Sequence, residues 1–282
     1  PDTDRSRGLG DVYKRQACAR RVSAGKHLVV ADLNEATAKS VAKDLYNAGF
    51  ETSSLQADLS SRESILSVIK EAQKYGNITN VINAAGVSPS QAPIKKILEV
   101  DLYGTSMLLE EFGKVISEGG SCIVISSQSG HRLGALTQEE NELLALTPTD
   151  ELLKLDMLKE ENVKNTLTAY QLAKRCNVLR VASEAVKWGK KGARVNSISP
   201  GIIITPLAND ELNGPRGDNY RKMLESAPAK RAGTPDEVGD LCEYLMNSRA
   251  KFITGADFLI DGGATASYWY GDLSYMRNTM GN

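Results

Sequence analysis

Between His27 and Ile260, short apolar runs alternate with stretches of helical periodicity, and nothing constrains the fold of this 282-residue chain more. His-Leu-Val-Val-Ala at 27–31 ends at Asp32, a helix is predicted over 34–48 and closed by Gly49, and a second strand ends at Asp58. A helix follows over 61–75, Val81-Ile82 leads to Asn83, and a long helix is predicted over 98–117. Cys122-Ile123-Val124-Ile125 reads as a buried strand ending in Ser126-Ser127, followed by an irregular stretch and a helix reaching about residue 187. A strand over 194–199 reaches Pro200-Gly201, and Phe258-Leu259-Ile260 is the last. Strands that are continuously apolar rather than alternating suit a parallel sheet buried on both faces, with the helices as crossovers. The expectation is one α/β domain built on a doubly wound parallel sheet; no repeat or Pro/Gly-rich linker divides the chain.

Composition narrows the partners. A net charge of −1 gives no electrostatic case for nucleic acid or an anionic membrane surface. No apolar stretch reaches the roughly 18–20 residues of a membrane span. Cys18, Cys122, Cys176 and Cys242 are scattered without metal-ligand spacing, so buried free thiols are expected in place of disulfides or a metal site, which suits a reducing cytoplasm.

Chemistry enters with Tyr170 and Lys174, spaced Y-x-x-x-K in AYQLAKRCNVL. Residues four apart on a helix share a face, and an ammonium beside a phenol favours the phenolate, bringing a general acid/base towards its working range. Alone the spacing is common on solvated helices. Its weight comes from the strand ends at Ser127 and at Asn83-Ala84-Ala85-Gly86, because open α/β sheets bind ligands at the carboxyl ends of their strands.

These residues resemble the short-chain dehydrogenases/reductases over residues 17–263. The markers, in the family's order, are Asn83 to Gly86, the I-S-S ending at Ser127, Tyr170 with Lys174, Pro200-Gly201 through Thr205, and Ile260-Asp261-Gly262-Gly263. The finer likeness is to hydroxysteroid dehydrogenase and carbonyl reductase-like members. The resemblance implies a Rossmann fold and hydride exchange between a nicotinamide and a secondary alcohol or ketone. It casts Tyr170 as proton donor and acceptor, Lys174 as its cation and ribose ligand, and Ser127 as the hydroxyl that orients the carbonyl. Asp101 stands where the family usually has an asparagine that acts largely through its backbone carbonyl; an aspartate adds negative charge near Lys174.

For the cofactor, the resemblance implies that Asp32 meets the adenosine ribose, where its carboxylate would repel a 2′-phosphate and favour NAD over NADP. Asp32 could also serve the start of the helix after it, and the two roles are compatible. Asp58 with Leu59 matches the family's adenine contact, though a loop or capping role is a close alternative. Asn83, Ala84, Ala85 and Gly86 would let the strand end pass the adenosine. Pro200, Gly201, the Ile203 backbone and the Thr205 hydroxyl would lie along the nicotinamide. The family's usual homo-oligomer, a dimer or tetramer, is expected by resemblance alone.

Two regions depart from the family. Residues 1–16 carry neither the expected first strand nor its glycine-rich turn, and SRGLGDVYKRQ resembles an in-frame translation of a sequencing adapter. They are expected to be an assembly scar, with 17–282 as the domain; a natural polar extension is the alternative. Losing a central strand would leave its two neighbours with unpaired backbone groups. Between Ser127 and Tyr170 an insert, about 131–168, contains two short amphipathic segments flanking Thr147-Pro148. It reads either as a lid over a bulky apolar substrate or as a surface elaboration or subunit contact. Two rival functions stay open: reduction of a 3-oxoacyl thioester with NADPH, and nucleotide sensing without turnover.

Overall fold

The computed structural model describes residues 9–90, 92–214 and 217–280. Helix α1 (Leu9–Val22) leads to β1 (His27–Asp32), α2 (Glu35–Asn47), β2 (Glu51–Gln56), α3 (Arg62–Gln73) and β3 (Asn80–Asn83). A helical rod follows in three parts: α4 (Ile94–Ile97), a π-helical segment (Leu98–Gly104) and α5 (Thr105–Val115). Then come β4 (Ser121–Ile125), a short 3₁₀ turn (Gln128–Arg132), α6 (Gln138–Leu146), α7 (Thr166–Gly189) and β5 (Arg194–Pro200). Helices α8 (Pro206–Asn213), α9 (Gly217–Ser226) and α10 (Pro235–Met246) precede β6 (Asp257–Ile260), α11 (Ala264–Tyr270) and α12 (Tyr275–Met280).

All strand pairs are parallel, as the unbroken apolar runs require. Helices cover both faces of the β3–β6 sheet. Ile65, Met107, Leu109, Phe112, Val181 and Trp188 pack one face from α3, α5 and α7. Cys18 of α1 and Val238, Cys242 and Leu245 of α10 pack the other.

The sheet is in two pieces. Among the described residues β1 pairs only with β2, while β3, β4, β5 and β6 form a second sheet in that order. Residues of β1 and of β3 line one cleft of about 1210 Å³, which runs from Gly25, Lys26 and Asn77 at one end of the strands to Asp32 and Asn83–Gly86 at the other. The apolar groups behind β1 and β2 form a small cluster of their own, Val30, Val41, Ala42 and Leu45. Of residues 1–16, residues 1–8 lie outside the described part, whereas residues 9–16 continue into Ala17–Val22 as one helix.

The long helix begins four residues earlier than its sequence pattern suggested and is interrupted by the π segment. Periodicity near 3.6 does not register a local change to i→i+5 bonding. In the insert, α6 carries a capping box between Thr137 and Glu140. Leu144, Leu152, Leu158 and Val163 are buried against Ile97, Leu98 and Leu102 of the rod and Ala169, Leu172 and Cys176 of α7. Ser183 Oγ donates to the Ala145 carbonyl at 2.9 Å, and Arg62 Nη2 meets Asp150 Oδ1 at 2.8 Å. Leu144, Leu152 and Leu158 thus anchor the insert to the rod and α7, while Leu143 and Leu146 stay exposed.

Candidate active site

Strand β4 leads to Ser127 and helix α7 carries Tyr170 and Lys174, and their relation is set by contacts to the α7 backbone. Ser126 Oγ donates to the Lys174 carbonyl at 2.8 Å. A Cβ on Gly130 would stand 2.8 Å from the Arg175 nitrogen and 2.9 Å from the Lys174 carbonyl carbon, so the turn after β4 lies directly on that turn of α7. The two contacts bring the end of β4 to the Tyr170–Lys174 face. Ser127 caps the 3₁₀ turn, its Oγ accepting from the Ser129 N–H at 3.2 Å. Asn165 caps α7 through the Thr168 N–H at 2.9 Å. Lys174 Nζ lies 5.2 Å from the centroid of the Tyr170 ring.

Asp101 joins this group with its side chain. It sits in the π segment, fully buried, with Oδ2 3.1 Å from Lys174 Nζ and Oδ1 accepting the Val87 N–H at 2.8 Å. A Cβ on Gly86 would stand 3.1 Å from Asp101 Oδ2 and 3.2 Å from Lys174 Nζ. Glycine at 86 is thus what lets the end of β3 approach the ion pair.

Of the cofactor candidates, Asp32, Asp58, Leu59 and Asn83 to Gly86 line the cleft, and Pro200, Gly201, Ile203 and Thr205 lie outside its lining. Asn83 is buried; its Nδ2 donates to Thr105 Oγ1 at 3.1 Å and its Oδ1 accepts from the Ala85 N–H at 3.3 Å, fixing the turn through Ala84 to Gly86. A Cβ on Gly104 would stand 2.6 Å from the Leu59 carbonyl oxygen, so Leu59 rests on the rod. Asp58 Oδ1 accepts from the Ser60 N–H at 2.8 Å and its hydroxyl at 2.6 Å. Burial works against the charge there, but these bonds and nearby Lys96 outweigh it and hold the Asp58 carboxyl below its ordinary value. Asp32 does not cap α2; Asn34 does, through the Ala36 and Thr37 N–H groups. Asp32 instead pairs Oδ2 with Arg15 Nη2 at 2.9 Å and accepts the Asn34 N–H at 3.0 Å.

On the other side of the site, a Cβ on Gly201 would stand 2.7 Å from Asp261 Cα, which explains the glycine after Pro200. Ile203 pairs with Gly233 through its neighbours' groups: the Ile204 N–H donates to Gly233 O and the Gly233 N–H to Ile202 O. That leaves the peptide groups of Ile203 itself out of the bridge. Thr205 is buried, its Oγ1 accepting from the Ala208 N–H at 3.2 Å.

One end of the cleft offers a carboxylate at Asp32 that could meet a ribose diol and backbone cleared of large side chains from Ala84 to Gly86, while Leu28, Val30, Val81 and Phe112 line the rest with apolar surface. The buried Lys174 ammonium beside Tyr170 lies outside that lining, next to Gly86. Sequence reasoning missed Arg15, because its segment was set aside; the negative charge it expected near Lys174 from Asp101 is present as a direct side-chain contact across 73 positions. His131 has a packing role: Nε2 meets Asp257 Oδ2 at 2.6 Å, and Ser197 and Ser199 donate to the same carboxylate. All four cysteines are free and buried, and burial pushes the Cys176 thiol up to about 11, away from the thiolate form at neutral pH. Among the described residues, no cluster of His, Cys, Asp and Glu could hold a metal ion, and no helix is long and apolar enough to cross a membrane.

Comparison with known proteins decides the family. The family model described as short chain dehydrogenase matches residues 3–138, and the one described as Enoyl-(Acyl carrier protein) reductase matches residues 135–265. The short-chain dehydrogenase/reductase bsc3 of Alternaria brassicicola is 35% identical over 252 residues, covering 89% of this chain and 92% of that protein. This chain belongs to the short-chain dehydrogenase/reductase family. It is an oxidoreductase, with the Rossmann-type fold of that family. The 3-alpha-hydroxysteroid dehydrogenase/carbonyl reductase of Comamonas testosteroni is 28% identical over 218 residues, 74% of this chain and 82% of the relative. Among solved structures, the 3-alpha-hydroxysteroid dehydrogenase from Pseudomonas sp. B-0831 complexed with NADH shares the fold with a TM-score of 0.68, at 24% identity over 86% of this chain and 98% of the other.

Proposed function

We propose that this enzyme uses NAD to interconvert a secondary alcohol and a ketone, with Tyr170 as proton donor and acceptor. The observation that carries the reading is the pairing of Tyr170 with Lys174 on one face of α7, Nζ 5.2 Å from the ring centroid, beside the strand end that bears Ser127. In reduction the Tyr170 hydroxyl gives its proton to the carbonyl oxygen; in oxidation it takes one from the alcohol. Ser127 Oγ orients that oxygen, and the Lys174 ammonium favours the phenolate. The nicotinamide, when bound, supplies or receives the hydride. Asp32 would hold the adenosine ribose and disfavour a 2′-phosphate, with Asp58 and Leu59 at the adenine and Asn83, Ala84, Ala85 and Gly86 beneath the adenosine. Pro200, Gly201, the Ile203 backbone and Thr205 would hold the carboxamide end.

A bulky apolar carbonyl compound of the hydroxysteroid kind is the proposed substrate. The name of the Comamonas relative supports it, as does the apolar surface of Leu133, Leu136 and Val87 in the cluster that Tyr170 joins. A cytoplasmic homo-oligomer completes the reading. The test is turnover of hydroxysteroids and other secondary alcohols with NAD and NADP, in the parent enzyme and in Tyr170→Phe. Loss of the phenol should lower kcat by about 10²–10⁴-fold with NAD binding intact. Turnover that survives in the Phe variant would sink the mechanism, and cofactor binding without turnover of any alcohol or ketone would favour nucleotide sensing.

A further inference from the structure

A carboxylate and an ammonium share the buried floor of the site. The Lys174 side chain is 5% exposed and that of Asp101 fully buried, with 3.1 Å between Nζ and Oδ2. Burial by itself disfavours a charged lysine, and a carboxylate at contact distance reverses that bias. The geometry is held from two sides. The π segment presents Asp101 inward, and the Val87 N–H fixes the other carboxylate oxygen at 2.8 Å. Among the groups facing Nζ are the Asp101 carboxylate from the rod, the Tyr170 ring from its own helix and the bare backbone of Gly86 from the end of β3. The turn after β4 contributes Gly130, stacked on the Lys174 backbone.

We infer that Asp101 is a positioning residue that acts through its side chain, as the fixed counter-ion that keeps Lys174 charged and aimed at Tyr170 at alkaline pH. The inference rests on the reading of Lys174 as the cation beside the proton-transferring tyrosine. An asparagine at 101 has the same shape and could still accept the Val87 N–H, but it carries no charge. Lys174 would then lose its proton at a lower pH, and the phenol would lose its cation with it. The pH–rate profile for alcohol oxidation should keep its low-pH limb and lose activity on its high-pH side.

The experiment is an NMR titration of the Lys174 ¹³Cε resonance in selectively labelled protein, assigned by its absence in Lys174→Arg, together with the pH profile of kcat/KM. In the parent chain Lys174 should titrate above the ordinary lysine value of about 10.4. In Asp101→Asn both the titration and the high-pH limb should move down by about one pH unit or more, a tenfold effect. A parent Lys174 that titrates below the ordinary value overturns the inference without any variant. So does an Asp101→Asn enzyme whose titration is unmoved. A parent enzyme that turns over no alcohol or ketone, with the lysine titration as expected, would instead count against the reading of the site.

Discussion

Strand β4 is hydrogen-bonded along both edges, and all five of its residues are buried, whereas among the described residues β1 pairs along one edge only and Val30 alone of its six residues is buried. Ser-Cys-Ile-Val-Ile and His-Leu-Val-Val-Ala-Asp are not very different as sequences. The contrast comes from their neighbours. One strand lies inside a four-stranded sheet with helices on both faces; the other belongs to a two-stranded unit that borders the 1210 Å³ cleft. The candidate chemistry divides along the same line. Ser127, Tyr170, Lys174 and Asp101 ride on the buried half, while Asp32 and Asp58 sit on the two-stranded half. The two halves meet where Gly86 abuts the Asp101–Lys174 pair and where Leu59 rests on Gly104 of the rod.

Hydrogen exchange offers the largest contrast. The amides of β4 should exchange about a thousandfold more slowly than those of β1, a gap of about 4 kcal/mol in opening free energy. Equal protection would mean the two halves open as one. Core truncation comes next. Ile123→Ala should cost about 2–5 kcal/mol in urea unfolding, and Val30→Ala roughly half as much, because fewer atoms are removed and the site borders the cleft. A Val30→Ala cost equal to that of Ile123→Ala would erase the distinction. The smallest effect concerns discrimination. Asp32→Ala should reduce the preference for NAD over NADP about tenfold, or about 1.4 kcal/mol, measured as the ratio of dissociation constants. An unchanged ratio would show that the carboxylate, paired with Arg15, does not reach the ribose.

What was legible in the sequence was local. The strands around β1, β4 and β5 and the helix bearing Tyr170 announce themselves through apolar runs and the Y-x-x-x-K spacing, because burial and helical facing are properties of short windows. Strand β2, Glu-Thr-Ser-Ser-Leu-Gln, was visible only by its place between two helices, since it lies at the outer edge and has no buried residue. The leucines of the insert signalled amphipathic segments, but amphipathicity does not name the partner, and the choice of the rod and α7 needed the fold. Asp101 was found as a departure at a marked position. That its side chain meets Lys174 depends on the π segment and on the clearance at Gly86, two backbone features that residue types far apart in the chain do not encode.

The π segment also has a bearing on insertions and deletions. An i→i+5 turn holds about one residue more than the α-helical turns on either side of it, so removing one residue from 98–104 would let the rod close up as an ordinary helix with its flanks in nearly their present orientation. What would be lost is the local bulge that carries Asp101 to Lys174. The number of residues in this one stretch, independent of their identity, therefore sets how the rod meets the candidate site, a kind of change that tables of single substitutions never sample.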